Sequence, residues 1–180
     1  EAVIGKRVLK KGDQFEVTGS GYGPEGQITL AGQPVDVVRS PALLETLRCG
    51  ALCNDTNMRL NKGRWEVHGD PTEGALLVSA QKAGLRAEDL ALASPRIDAI
   101  PFESERAYMA TLHRSSSAEG ATGLVVYVKG SVERILAMSE QGLAPNGSTM
   151  PLDRESIHAA AAMLSDQGLR VLALARKTVG

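Results

Sequence analysis

Short β-rich runs outnumber helical ones in this chain, and several are joined by turns too short to carry a crossover. Lys11-Gly12-Asp13 links the β-rich residues 2–9 and 14–18, and Asn61-Lys62-Gly63 links 56–60 to 64–68, both at hairpin length. Parallel neighbours need a connection of a dozen residues or more, so pairings of this kind are antiparallel. Further strand-like runs occupy 27–30, 96–100, 107–114, 124–129 and 169–176, the run at 124–129 having the Val, Leu and Tyr content of a central strand. The expected class is α+β, a twisted, mainly antiparallel β-sheet with helices packed on it.

Helix signals are fewer but clear. Ser40-Pro41 has the form of an N-cap with proline at the first helical position, ahead of Leu43, Leu44, Leu47, Ala51 and Leu52 at helical spacing. Asp70-Pro71-Thr72-Glu73 opens a second helix that runs to Ala83 and stops at Gly84. A third is expected over 131–138. A fourth begins at Asp153, carries Ile157, Ala160, Ala161 and Leu164 on one stripe, and ends at Gly168. Residues 19–26 read as a turn-rich loop, 115–123 as a long polar loop, and 142–150 as a loop or edge strand.

At 180 residues the expectation is one domain, 1–180. A formal net charge of -1 gives no basic footprint for nucleic acid and no polybasic stretch for an anionic membrane. No run approaches the roughly 18 apolar residues of a membrane-spanning helix, and residues 1–20 lack the order of a secretory signal. Neither nucleic-acid binding nor direct membrane insertion is expected of this stretch.

Three motif-like features carry little chemistry. Gly21-Tyr22-Gly23-Pro24-Glu25-Gly26 spells the dinucleotide fingerprint, but a β-like run follows Pro24 where the mechanism requires a helix N-terminus facing a pyrophosphate. Cys49 and Cys53 share one helix face without further ligands nearby, which fits small buried hydrophobes. His68, His113 and His158 fall in different elements without ligand spacing, so no metal site is expected.

Aromatic residues make up only 3% of the chain, so the position of each is informative. Phe102 follows Pro101 in a run containing Glu103, Ser104, Glu105 and Arg106, where a proline-fixed loop could offer a stacking face to a flat base. Taken alone, the residue also fits a core phenylalanine. Lys129-Gly130 stands between a strand and a helix, a place suited to an anionic nucleotide and also a commonplace of strand-to-helix turns. Glu73, at the third helical position, could equally satisfy the Asp70 backbone amide in a capping box. Arg170 also reads as a strand-surface cation.

These pieces occur together in one order. Gly69-Asp-Pro-Thr-Glu-Gly-Ala-Leu76, Ile100-Pro-Phe-Glu-Ser-Glu-Arg-Ala-Tyr-Met109, Val128-Lys-Gly-Ser-Val-Glu133 and Gly168-Leu-Arg-Val-Leu-Ala-Leu-Ala175 resemble the nucleotide-binding domain of P-type cation-transporting ATPases. The stretches 15–26 and 51–55 are similar to the branch that pumps calcium, sodium or similar light cations. The resemblance implies that Phe102 stacks on adenine, that Glu73 meets the adenine amino group, and that Lys129 and Gly130 form the pocket floor. It further implies that Arg170 reaches toward the phosphates, that Met109 and Leu172 are apolar walls, and that Thr72 and Asp70 lie nearby. The family often has basic residues where this chain has Ser104 and Ala107, which leaves Arg106 as the loop's phosphate contact.

By the same resemblance, ATP is the ligand, and Mg2+ accompanies it in the full-length pump without being held by this stretch. The partners are the phosphorylation and actuator domains of the same chain, on the cytoplasmic side of a membrane protein. The family's phosphorylated aspartate segment and its magnesium-binding segment do not occur among these residues, so the stretch is expected to bind ATP without hydrolysing it and has no catalytic residue of its own. A ligand-free interaction module and a domain of a soluble ATP-using enzyme are the alternatives.

Overall fold

The structure is a computed structural model that describes residues 7–10, 13–116 and 122–179. The turn at Lys11-Gly12 and most of the 115–123 loop lie outside the described residues.

Strands β1 (Arg7–Lys10) and β2 (Asp13–Val17) pair antiparallel, and β3 (Ile28–Leu30) and β4 (Gln33–Pro34) extend them to a four-stranded sheet in the order β1-β2-β3-β4. The glycine-rich residues 19–26 form turns and bends between β2 and β3, with no helix opening after them. The geometry a dinucleotide fingerprint requires is therefore missing. After a 3-10 turn at Val37–Arg39 comes α1 (Pro41–Leu52), with proline in its first turn as expected. Ser40 departs from expectation, because its side chain makes no capping hydrogen bond.

Strands β5 (Asn57–Asn61) and β6 (Arg64–His68) form the second hairpin. Its turn residues Lys62 and Gly63 both have positive φ, 47° and 78°, the signature of a turn whose twist matches the strands it joins. Helix α2 (Pro71–Lys82) is capped by Asp70, whose Oδ1 accepts from the backbone amides of Thr72 at 2.8 Å and Glu73 at 3.0 Å. It closes past Lys82 with the Leu85 amide donating to the Ala80 carbonyl at 2.9 Å. Helix α3 (Ala87–Ala93) had no counterpart among the expected elements. Seven residues are too few for a periodic pattern, and Arg86 supplies no side-chain cap; Glu88 and Asp89 in the first turn are its main local support.

Then follow β7 (Arg96–Glu103), β8 (Tyr108–Ser116), β9 (Thr122–Gly130), α4 (Val132–Met138), β10 (Gln141–Leu143), β11 (Thr149–Pro151), α5 (Arg154–Asp166) and β12 (Ala173–Val179). The order of the second four-stranded sheet is β12-β9-β8-β7, so β9 is central and β7 is an edge. Every pairing among the described residues is antiparallel, in keeping with the α+β class.

Strand β7 continues through Pro101 and Phe102, which sequence reasoning had placed in a loop after the strand. An edge strand tolerates proline because one side of its backbone needs no partner, and the pairing is irregular between Ile100 and Glu103. The closing strand starts later than its apolar content suggests, leaving Arg170 and Leu172 ahead of it.

Helix α1 joins two apolar clusters. Leu43, Leu47 and Ala51 pack with Phe15, Val17, Ile28 and Leu77. Cys49, Leu52 and Cys53 pack on the sheet residues Met109, Val125 and Tyr127. On the α5 stripe only Leu164 is buried, and Ile157 remains 36% exposed.

Candidate nucleotide site

The sheet register gathers the candidate residues at one end. Tyr108 pairs with Glu103 on one side and Gly130 on the other, Met109 pairs with Lys129, and Gly130 pairs with Ala173. The chain segments bearing Phe102, Arg106, Met109, Lys129, Gly130 and Leu172 therefore meet along a single row. Strands lie about 4.8 Å apart, so two strand spacings separate the β7 backbone near Phe102 from the β9 backbone at Lys129, roughly 10 Å. Phe102 is 52% exposed, which excludes the core reading; the other phenylalanine, Phe15, is the core residue at 3%.

Helix α2 joins this row through an ion pair. Lys129 is 5% exposed; its Nζ donates to Glu73 Oε1 at 2.5 Å and to the Cys53 carbonyl. Glu73 Oε2 accepts from the Asp55 backbone amide and the Thr56 hydroxyl, each at 3.0 Å. The capping-box reading of Glu73 is thereby corrected. The Asp70 amide it was expected to satisfy donates instead to Thr56 Oγ1 at 2.9 Å. Helix start and side-chain role are separate questions, and the nearby hydroxyl and lysine win the carboxylate.

Asp70 and Arg170 complete the cluster. Burial pushes the Asp70 carboxyl up, but bonds from the Glu73 amide and from Thr72, together with the positive charge of Arg170, outweigh it and hold the group below the usual carboxylate value. Arg170 is thus near enough to Asp70 for its charge to act there. Arg106 is less available than expected. Its Nη2 pairs with Glu103 Oε1 at 2.7 Å, and its Nε is buried without a partner.

Two expected roles change with the packing. Met109 is 1% exposed within the Cys49, Leu52 and Cys53 cluster, so it supports the floor from beneath and presents no surface to a ligand. Gly130 has no room for a side chain, because a Cβ there would stand 2.4 Å from the Ala107 carbonyl oxygen and 2.8 Å from Tyr108 Cβ.

Sequence reasoning missed Asn54, Asp55 and Thr56. Asn54 Nδ2 donates to the Gly50 and Glu73 carbonyls at 3.0 Å each, tying the end of α1 to the start of α2. Arg96 anchors the same run, with Nη1 2.6 Å from Asp55 Oδ1 and Nη2 donating to the Leu52 and Asn54 carbonyls. A run of Asn, Asp and Thr just past a helix end was the available signal, since such residues bond to local backbone.

A cleft of about 440 Å³ opens on the far side of Asn54 and Thr56, bordered also by Trp65, Arg96 and His113, and Phe102, Glu73, Lys129 and Arg170 do not line it. The candidate site is an exposed sheet end and not this cleft. Both cysteines are buried and free, and burial pushes each thiol above its ordinary range, leaving them protonated and packed. Among the described residues no group of three or more His, Cys, Asp or Glu side chains is arranged to hold a metal ion.

The family described as "P-type ATPase, cytoplasmic domain N" matches residues 42–180. The chain belongs to this family. The N domain is 46% identical over 177 residues, 96% of its length, to the "Cation-transporting ATPase pma1" of Synechocystis sp.. It is 44% identical over 161 residues, 89% of its length, to the "Probable cation-transporting ATPase F" of Mycobacterium tuberculosis. Over 175 residues, 96% of its length, it is 30% identical to the "Calcium-transporting ATPase" of Bacillus subtilis. The N domain spans about a fifth of the length of these relatives, 19%, 17% and 19% respectively. The family description makes it a cytoplasmic domain, and among the described residues no helix is long and apolar enough to cross a membrane.

Proposed function

We propose that this N domain binds ATP through its adenosine part and, in a whole P-type ATPase, presents the γ-phosphate to the phosphorylation domain of the same chain. The observation that carries the reading is the placement of the Glu73–Lys129 pair and exposed Phe102 at one end of the same sheet. Phe102 supplies a stacking face. An ionised carboxylate accepts about four hydrogen bonds; Glu73 takes one from Lys129, one from the Asp55 amide and one from the Thr56 hydroxyl. One acceptor position remains for the adenine amino group.

Arg170 is exposed beside Asp70 and is the cation that meets the phosphates. Arg106 contributes only by leaving Glu103. Mg2+ accompanies the nucleotide on its phosphates, and no step passes through it here. The isolated domain binds ATP without turning it over, because an in-line nucleophile and metal stabilisation come from elsewhere in the pump. Its other partner in the full protein is the actuator domain.

One stack, one carboxylate hydrogen bond and one or two exposed cations total roughly 4 to 6 kcal/mol, a dissociation constant of about 0.05 to 1 mM. An amide chemical-shift titration with ATP tests the reading. Shifts are expected to cluster at residues 70–76, 100–109, 128–131 and 170. Saturable shifts centred on the Trp65 and His113 cleft would overturn the site, and steady ATP turnover by the purified domain would overturn its inactivity.

A further inference from the structure

Thr56 stands at the junction of the polar contacts behind Glu73. It is 6% exposed, and its backbone amide donates to Asn54 Oδ1 at 2.9 Å. Its hydroxyl oxygen accepts the Asp70 amide at 2.9 Å. That bond occupies one lone pair and turns the hydroxyl proton to an acceptor; Glu73 Oε2 at 3.0 Å is nearer than the Asp70 carbonyl at 3.4 Å. The backbone makes room for this arrangement, since a Cβ on Gly69 would stand 2.3 Å from Thr56 Oγ1.

We propose that Thr56 is the positioning residue for adenine selectivity in this domain, its hydroxyl fixing the Glu73 carboxylate so that the unfilled acceptor position faces the base amino group. The proposal rests on the nucleotide reading of the site. Lys129 holds one carboxylate oxygen, and a single bond leaves the group free to pivot about it. The Thr56 hydroxyl and the Asp55 amide hold the other oxygen and stop that rotation. Thr56 touches no nucleotide itself and acts through Glu73.

The test compares ATP with purine riboside triphosphate, which lacks the 6-amino group, by chemical-shift titration of the whole chain. The unaltered domain is expected to favour ATP by about fivefold, the range of one hydrogen bond. Thr56→Val keeps the shape but removes the hydroxyl, leaving the Asp55 amide alone on that Glu73 oxygen, and the preference falls to about twofold; Thr56→Ser keeps it near fivefold. A purely structural role would weaken both nucleotides together and leave their ratio unchanged, which overturns the proposal. Should the valine variant not fold, the unaltered domain decides. The Asp55 amide donates to the same Glu73 oxygen, so its resonance moves further with ATP than with the purine analogue, and equal movement overturns the proposal. If neither nucleotide gives saturable shifts in the unaltered domain, the nucleotide reading itself fails and the proposal falls with it.

Discussion

Lys129 Nζ stands 2.5 Å from Glu73 Oε1 and joins the end of the central strand β9 to the first turn of α2 across 56 positions of sequence. With Lys129 side-chain exposure at 6% and Glu73 at 14%, water does little to screen the pair. Removing one partner of such a pair leaves an uncompensated charge, a loss of about 3 to 5 kcal/mol. Lys129→Met is therefore expected to lower the unfolding free energy by about that amount in a urea titration. Lys129→Met combined with Glu73→Gln removes both charges, so the double variant is expected to lose clearly less than the sum of the two single losses.

Phe102 should separate binding from stability. At 52% exposure about half of it is covered, so Phe102→Ala is expected to lower the unfolding free energy by only about 1 kcal/mol. Losing the stack costs binding roughly 1 to 3 kcal/mol, about five- to 150-fold in the ATP dissociation constant. A titration beside a thermal melt reads both quantities. Large destabilisation with unchanged affinity would return the residue to a packing role.

How much of this was legible beforehand differs with the range of the interaction. The Asp70 cap, the Pro71 start and the Lys62-Gly63 turn were readable because each depends on neighbouring residues and backbone geometry. The partner of Glu73 was not. A capping box is a three-residue pattern, whereas Lys129 and Thr56 reach Glu73 from 56 and 17 positions away, and no local pattern encodes that convergence. Phe102 was legible as a candidate from scarcity and context, but its strand conformation depends on pairing with β8. Helix α3 escaped because it is one short segment held by Leu90 against the core, a tertiary contact without a sequence period.

His113 gives the domain an acid-sensitive contribution to stability. It is 1% exposed, and the 2.9 Å contact from Nδ1 to the Ser94 carbonyl places the neutral ring's proton on Nδ1. Burial pushes its pKa below the ordinary 6.5, the Ser94 carbonyl pulls it up, and the charge of Arg96 pushes it down again. The folded value is depressed, so the unfolded chain gains the proton first. This contribution is complete above pH 6.5 and declines as pH falls from 6.5 toward the folded value. Unfolding midpoints measured at pH 7.5 and 5.5 are expected to fall with acid, and by less in His113→Phe.

Asp70 acts over a lower window. Its folded pKa lies below the ordinary 3.8, so the contribution is complete above that value and is lost as pH falls through the folded value. Because the group is largely exposed, solvent screening keeps this effect small beside the capping bonds. Asp70→Ala removes the cap and is expected to cost about 1 kcal/mol at neutral pH, within the usual range for such a loss. Asp70→Asn keeps an oxygen acceptor for the Thr72 and Glu73 amides, so it should retain most of the stability at pH 7 and flatten the slope below pH 4, about the ordinary carboxyl range. Parallel unfolding curves for the two variants check the distinction.

Gly130 and Ala107 form a pair whose substitutions should act in opposite directions. A Cβ on Gly130 would meet the Ala107 carbonyl oxygen at 2.4 Å and Tyr108 Cα at 2.9 Å, both backbone atoms that cannot swing aside like a side-chain tip. The same carbonyl accepts the Ser131 amide at 3.0 Å at the start of α4, so moving it breaks a bond as well. Gly130→Ala is expected to cost about 1 to 3 kcal/mol. Ala107 has φ of 56°, a conformation that costs residues with a Cβ roughly 1 kcal/mol and glycine almost nothing. Ala107→Gly relieves that strain but also gives the unfolded chain more freedom, so its net effect is a gain of up to about 0.5 kcal/mol. Urea unfolding of both variants tests the pair, and a Gly130→Ala variant as stable as the parent would show that the β8 to β9 end can open without cost.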